Sequence, residues 1–253
     1  MFQYYPPRFL FRRYEILQLV RPADIFLEIG AGGLNLSQEL LKYFSRGKAI
    51  DFSPETMSCY KSLKPYITKR LSFEVTDVDN IHEEGLYDCV VSCEVMEHLE
   101  NDEIFLLKIY RLLKPHGQAI LSVPANMKFW SIHDEITGHC RRYERKEIIE
   151  LFQSAGFENI NVIAYGYPFV NILRWIRVFY ATRQADMKRQ WSKVQRTQRS
   201  GINHVPSQFS WLGLLINPHT ILPLNWIARL FNTADFSEGY IVTADKNTKR
   251  ASL

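Results

Sequence analysis

The run Phe26-Leu27-Glu28-Ile29-Gly30-Ala31-Gly32-Gly33-Leu34 ends an apolar stretch in glycines, which lets bare backbone come up against a ligand. That arrangement suits a nucleotide-like cofactor. A second apolar run, 47–51, closes on Asp51 about 20 residues after the first glycine, the spacing at which a carboxylate reaches ribose hydroxyls in a doubly wound sheet. A dinucleotide would call for G-x-G-x-x-G, whose third glycine lets the helix pack closely beside a pyrophosphate. Here that place holds Asn35, so a dinucleotide is disfavoured.

Glu28-x-Gly30-x-Gly32 instead resembles the E-x-G-x-G motif of the class I (Rossmann-like) S-adenosylmethionine-dependent methyltransferases. Four further landmarks follow in the order of that family. Asp51 with 52–57 resembles its second motif, and Thr76-Asp77-Val78 its third. The stretch 87–99 resembles the fourth strand and its exit loop, and 112–118 the turn before the fifth strand. One departure is Leu34, where many relatives carry a third glycine. The resemblance implies S-adenosyl-L-methionine as cofactor, with S-adenosyl-L-homocysteine as product. It also assigns contacts to it: the loop Glu28, Gly30, Ala31 and Gly32; Asp51 on the ribose hydroxyls and Phe52 on the adenine; Asp77 on the adenine amino group and Val78, through its amide, on the ring; and Glu94. A leading helix in this family can send an arginine to the cofactor carboxylate. Arg12 or Arg13 would do so here, unless they simply form a solvated helix face.

Methyl transfer from a sulfonium is an in-line displacement, so the protein's contribution is largely positional. A hydroxyl acceptor needs a base, whereas a neutral amine can do without one. The candidate catalytic residues are His98, just past the fourth strand, and His139, past the fifth. A plainer role for His139 is to order Arg141 and Tyr143. Glu94-Val95-Met96-Glu97-His98 also resembles the magnesium-binding E-x-x-E-H segment of ubiquinone-pathway O-methyltransferases and small-RNA 2'-O-methyltransferases, a set that His139 would complete. Metal-free relatives carry a similar Glu-His pair, and no metal ligand is assigned.

The elements that must position these groups alternate along the chain. Strands are expected at 25–29, 48–51, 71–75, 89–93, 118–123, 159–164 and 239–244, and helices at 8–20, 36–44, 54–63, 102–112 and 145–155. Val- and Ile-rich runs between amphipathic segments indicate an α/β three-layer sandwich, a doubly wound parallel sheet covered on both faces. The family resemblance implies seven strands, mostly parallel, with one antiparallel edge strand. The expected organisation is one methyltransferase domain over 1–253. Its N-terminal helix, 1–22, lies over the cofactor site, and a helical insertion before the last strand, 165–237, serves as a substrate lid or cap.

Within that insertion Phe169, Ile172, Leu173, Ile176 and Tyr180 follow helical spacing, with Arg174 and Arg177 on another side. Lys188, Arg189, Lys193, Arg196 and Arg199 form a basic run around Trp191, suited to anionic lipid heads or to a phosphate backbone. The plainer reading is a helical lid with its apolar face in the core and its charges in water. The segment 209–231 is apolar but broken by Pro218 and Pro223, as short pieces lining a hydrophobic chamber or a membrane-facing cap would be.

With 46 % hydrophobic residues the chain has ample material for a core, which argues against disorder. A net charge of +4 is too weak by itself to demand nucleic acid or membrane. Cys59, Cys89, Cys93 and Cys140 include no C-x-x-C pair and read as reduced thiols. No secretory signal is read at the N-terminus, and no apolar run reaches the roughly 18–20 residues of a spanning helix. A cytoplasmic protein, peripheral at most to a membrane, is expected. The reading for function is methyl transfer to oxygen or nitrogen of a small or lipid-like, partly apolar acceptor, with anionic membrane touched through the insertion and nucleic acid disfavoured. The alternatives are a magnesium-dependent RNA 2'-O-methyltransferase and a non-catalytic cofactor-binding regulator.

Overall fold

A computed structural model describes residues 5–189 and 212–247. Pro7 opens the first helix, α1 (Pro7–Leu19), where a missing N–H costs nothing. Strand β1 (Ala23–Ile29) runs into the glycine loop and the short helix α2 (Asn35–Leu40). Then come β2 (Phe44–Asp51), α3 (Thr56–Lys61), α4 (Pro65–Thr68), β3 (Leu71–Val75) and β4 (Tyr87–Cys93). Helix α5 (Asp102–Leu112) leads into β5 (Leu113–Pro124), and α6 (Ile132–Thr137) and α7 (Arg145–Ser154) precede β6 (Phe157–Ala164). Helices α8 (Phe169–Arg189), α9 (Leu212–Leu215) and α10 (Leu222–Arg229) lie before the last strand, β7 (Gly239–Lys246).

The seven strands pair in the order β3-β2-β1-β4-β5-β7-β6. Strands β1 to β5 are mutually parallel, while β7 is antiparallel to both of its neighbours. The antiparallel strand falls at the expected end of the sheet but one place in, with β6 taking the rim. Two buried clusters cover the faces. On one, Phe105, Ile109 and Leu112 of α5 and Ile148 and Phe152 of α7 pack against the sheet. On the other, Leu10, Phe11 and Ile16 of α1 join Leu36 and Leu40 of α2 and Val170 of α8. Helices on both faces of a mostly parallel sheet make the three-layer sandwich expected of the sequence.

Strand order reverses at β1, which lies between β2 and β4, so a crevice opens beyond the carboxyl ends of β1 and β4. The exits there are sharply bent. Gly30 (φ +75°), Leu34 (φ +60°), Glu94 (φ +56°) and Asn126 (φ +58°) all take the left-handed side of backbone space. Leu34 explains the missing third glycine: it adopts the left-handed conformation itself (φ 60°, ψ 17°) and is fully buried. The backbone strain of about 1–2 kcal/mol is offset by burying an isobutyl group worth a comparable amount. The loop keeps the glycine-type path with a larger residue.

Some boundaries move. The expected helix 36–44 ends at Leu40, because strand β2 already starts at Phe44, whose ring packs on Phe26 at 5.3 Å. Strand β5 begins five residues earlier than expected. The short α4 and α6 fall below the length at which apolar periodicity is visible.

The larger correction concerns α8. Only part of the face expected to be core is turned inward: Phe169 and Leu173 pack inward, whereas Ile172, Ile176 and Tyr180 are exposed together with Trp175 and Phe179. Arg174 and Arg177 also point inward, and both pair with Glu238, which is 1 % exposed. A buried acid at the start of β7 outbids part of the apolar face for the inner side of this helix. The basic run Lys188 to Arg199 with Trp191 lies outside the residues whose side chains are described. No helix among the described residues is long and apolar enough to cross a membrane.

Gly47 in β2 fixes the approach of the sheet to that face, since a Cβ there would sit 2.2 Å from the Phe26 ring. Gly47→Ala is expected to destabilise the fold by about 1–3 kcal/mol through overpacking. Urea unfolding checks this, and an unchanged midpoint would show that Phe26 yields freely.

Candidate active site

The first wall of the crevice is built on Asp51. Gly32 N–H donates to its Oδ2 and Ser53 N–H to its Oδ1, both at 2.8 Å. Gly30 and Ala31 donate to the carbonyl of Ile50 at 2.9 and 3.1 Å. The glycine loop is thus clamped to the end of β2 by three hydrogen bonds, and the amide of Ser53 orients the Asp51 carboxylate. Burial raises the Asp51 carboxyl above its ordinary range, and the two amides pull it back. A carboxylate oxygen has more than one acceptor site, so both can still take a hydroxyl. Gly30 can be nothing larger, since a Cβ would lie 2.3 Å from Val95 Cγ2. Phe52 is 37 % exposed beside this wall. Asp77 is exposed and caps the turn Val78–Asn80 by accepting from Asp79 N–H at 3.1 Å, while Val78 is buried.

The second wall concentrates charge. Glu94 pairs with Arg8 at 2.8 Å and with Arg12 at 3.4 Å, and accepts from Ser122 Oγ at 3.1 Å. Burial alone would raise its carboxyl, but the two guanidinium groups outweigh that and hold it well below the usual range. Arg8 Nε also donates to Tyr165 Oη at 3.1 Å. Of the two expected arginines, Arg12 faces the crevice, whereas Arg13 pairs with Glu39 at 2.8 Å. Glu28 lies behind the loop, 3 % exposed, and accepts from the Ser37 hydroxyl.

His98 and His139 come together with their rings edge to face, 4.8 Å between centroids. His139 Nδ1 lies 3.0 Å from Asp134 Oδ1, and its Nε2 lies 3.8 Å from Glu97 Oε1. Asp134 is buried and paired with Arg142 at 2.8 Å. Burial pushes the Asp134 carboxyl up, but His139 and Arg142 draw it far below the normal range. An ionised acceptor on Nδ1 leaves the lone pair on Nε2. His98 Nδ1 faces the carbonyl of Gly138 at 3.3 Å; a carbonyl only accepts, so this nitrogen carries the proton. Arg141 and Tyr143 are held not by His139 but by Asp102, at 2.7 and 3.1 Å. His139 instead bonds Asp134, which is paired with Arg142.

Glu97 is the most unusual group. It is fully buried, and neither carboxylate oxygen has a hydrogen-bond partner among the described residues. Burial, reinforced by repulsion from Glu94, raises it well above the carboxylate range. Ligand atoms of Glu97, His98 and His139 all lie within 4.8 Å of one another, close enough for a metal ion. The fit to magnesium is nevertheless poor. That ion wants oxygen ligands, and the second acid of the E-x-x-E-H segment, Glu94, is committed to two arginines. One carboxylate and two imidazoles suit a softer ion, and no catalytic step is drawn through a metal.

The sequence reading missed Arg8, Tyr165, His133 and Asp134. The spacing of Arg8 four residues before Arg12 was the available signal for one of them. His133 is half-buried, and desolvation followed by Arg177 and Arg8 pushes it down to about 3.

A family model described as "Methyltransferase domain" matches residues 3–162. The chain belongs to this methyltransferase-domain family. Its fold and motifs are those of the class I S-adenosylmethionine-dependent members. Ubiquinone biosynthesis O-methyltransferases are among the similar proteins. The Schizosaccharomyces pombe mitochondrial enzyme is 32 % identical over 99 residues, covering 38 % of this chain and 36 % of that protein. The human mitochondrial enzyme is 34 % identical over 101 residues, covering 38 % and 27 %. This methyltransferase domain thus spans only about a third of the length of those relatives. In fold it resembles a methyltransferase of Bacillus halodurans (TM-score 0.58, 14 % identity, 93 % and 99 % covered). It also resembles the Haemonchus contortus phosphoethanolamine N-methyltransferase solved with S-adenosylmethionine (TM-score 0.54, 16 % identity, 93 % and 52 % covered).

Glu28 supplies a test of the buried wall. Burial raises it from 4.5 to about 8, against the pull of the Ser37 hydroxyl and Arg12. A carboxyl raised in the folded state supports the fold below pH 4.5 and withdraws that support as pH climbs through 8. Glu28→Gln should therefore flatten the decline of stability over that window, by at most about 1.4 kcal/mol per pH unit. Urea unfolding at stepped pH reads this, and a slope equal to that of the parent would assign the decline to another group.

Proposed function

We propose that this chain transfers a methyl group from S-adenosylmethionine to an oxygen or nitrogen of a small or lipid-like, partly apolar acceptor, with a quinone-type phenol as one fitting example. The observation that carries the reading is the pairing of two walls at one switch point. Asp51 and the glycine loop suit an adenosyl group on one side, and the Asp134–His139–Glu97 array faces the acceptor side.

Arg12 is proposed to meet the cofactor carboxylate and Glu94 its ammonium. The charges that now neutralise each other would then each find a partner on the ligand. Glu28, Gly30, Ala31, Gly32, Phe52, Asp77 and Val78 would complete the cofactor cleft. The bound cofactor supplies the methyl carbon: the acceptor lone pair forms the new bond as the carbon–sulfur bond breaks and sulfur keeps its electron pair.

For a hydroxyl acceptor a base must take the proton, and the lone pairs on His98 Nε2 and His139 Nε2 are proposed for this. Asp134 fixes the orientation of His139 and stabilises the imidazolium that forms. Glu97, held neutral by burial and by Glu94, leaves the pocket without a competing negative charge. The buried arrays at both walls exclude water, which would otherwise compete for the methyl group.

The apolar, outward face of α8 and the inward pairing of its arginines favour contact with a membrane surface over a solvated lid. The four cysteines are free, which suits a reducing compartment such as the cytoplasm. The RNA-directed alternative needs a magnesium-binding Glu94, and the ion pairs of that residue count against it.

Incubation with methyl-labelled cofactor and fractionated cell extract tests the reading. Label is expected in a lipid or small-molecule fraction. With that acceptor, His139→Ala should lower kcat by about 10²-fold or more while leaving cofactor affinity unchanged. Label confined to RNA, or in no fraction at all, would contradict the proposal. Full turnover in both His98→Ala and His139→Ala would remove the base and point to an amine acceptor.

A further inference from the structure

Helix α1 serves two chambers from adjacent faces. Arg8 and Arg12 reach Glu94, while Pro7 and Phe11, one position back in each turn, line a separate cavity of about 240 Å³. The segment after β6 repeats the pattern: Tyr165 accepts from Arg8 in the polar chamber, and Phe169 and Leu173 wall the cavity. The rings of Phe11 and Phe169 stack at 5.8 Å, and Gly166 lets the two elements close, since its Cβ would meet Val170 at 2.3 Å and Phe11 at 3.3 Å. Ile216 and Ile221 close the far side. Thr220 is the one polar residue among those lining this space.

The mouth is as apolar as the interior, being formed by the exposed side chains of Ile172, Leu215 and Leu224. It opens onto the insertion, which carries 12 of the 19 large hydrophobic side chains exposed among the described residues. An apolar rim of this kind complements the hydrocarbon of a bilayer, the reservoir of single-chain amphiphiles.

We infer that the cavity between α1, α8, α9 and α10 holds the hydrocarbon chain of the acceptor, which enters from a membrane surface and points its polar head toward the adjoining catalytic crevice. This rests on the methyl-transfer reading for what happens to the head, but the chain site stands or falls by itself. An apolar cavity of roughly 150 Å³ stays dry and admits benzene, so this one has room for a longer piece of hydrocarbon. Each methylene that enters should strengthen binding about fourfold until the space is filled.

The test uses the full-length protein and a conjugated-polyene fatty alcohol whose emission rises in apolar surroundings, displaced by straight-chain alcohols from butanol to dodecanol. Saturable probe binding is expected, with competitor affinity climbing by the stated factor per methylene and then levelling off. Leu173→Trp and, separately, Ile221→Trp should each weaken the probe at least tenfold while adenosylhomocysteine affinity stays at the parent value. No saturable binding, or an affinity that climbs without a plateau as in adsorption to a surface, would overturn the assignment in the parent protein alone. Equal probe affinity in a folded variant would overturn its location. If adenosylhomocysteine fails to bind while the probe behaves as described, the methyl-transfer reading fails and the chain site remains.

Discussion

The Asp51 carboxylate ties the exits of β1 and β2 together. By accepting from Gly32, with Ser53 N–H fixing its other oxygen, it holds the glycine loop against the end of its neighbouring strand. Without that clamp the loop would have no fixed path, because Gly30 and Gly32 bring conformational freedom and no side chain of their own. With it, the backbone lines one wall of the crevice at the point where the strand order reverses. The opposite wall depends on a second cluster of buried charge, in which Arg8 and Arg12 hold Glu94 well below the usual carboxylate range, and burial, reinforced by Glu94, raises Glu97 well above it. Ionised and raised carboxyls three residues apart divide the crevice into a more charged and a less charged side.

The sheet was legible because its central strands β1, β4 and β5 are buried and rich in Ile, Leu and Val. The loop was legible because glycine and aspartate sit at spacings that only a strand–turn–helix uses. Leu34 shows where residue type misleads: the position keeps left-handed backbone although the side chain argues against it. The acceptor side was half legible. His98 and His139 stand out in the sequence, but the groups that tune them do not. Asp134 reaches His139 through a single turn of helix with no apolar period. Tyr165 reaches Arg8 across 157 residues of chain.

The insertion was misread for a reason that periodicity cannot supply. A helix with one apolar and one basic face normally buries the apolar one. In α8 Phe169 and Leu173 do turn inward, but Glu238, buried at the start of β7, draws Arg174 and Arg177 inward as well and leaves Ile172, Ile176 and Tyr180 exposed. Leaving an acid in that position without the two arginines would cost several kcal/mol, comparable to burying two or three large apolar side chains. The outward apolar face is the consequence. It leaves an exposed apolar surface beside the cavity lined by Phe169, Leu173 and Ile221.

Whether the crevice takes an adenosyl sulfonium is decided most directly by titration calorimetry with S-adenosylhomocysteine on the full-length protein and on Asp51→Ala. Saturable, one-to-one heat in the parent and none in the folded variant is the outcome the Asp51 clamp requires. Silence of the parent toward both S-adenosylhomocysteine and S-adenosylmethionine, with heat instead for a nicotinamide dinucleotide, would contradict the account at its base.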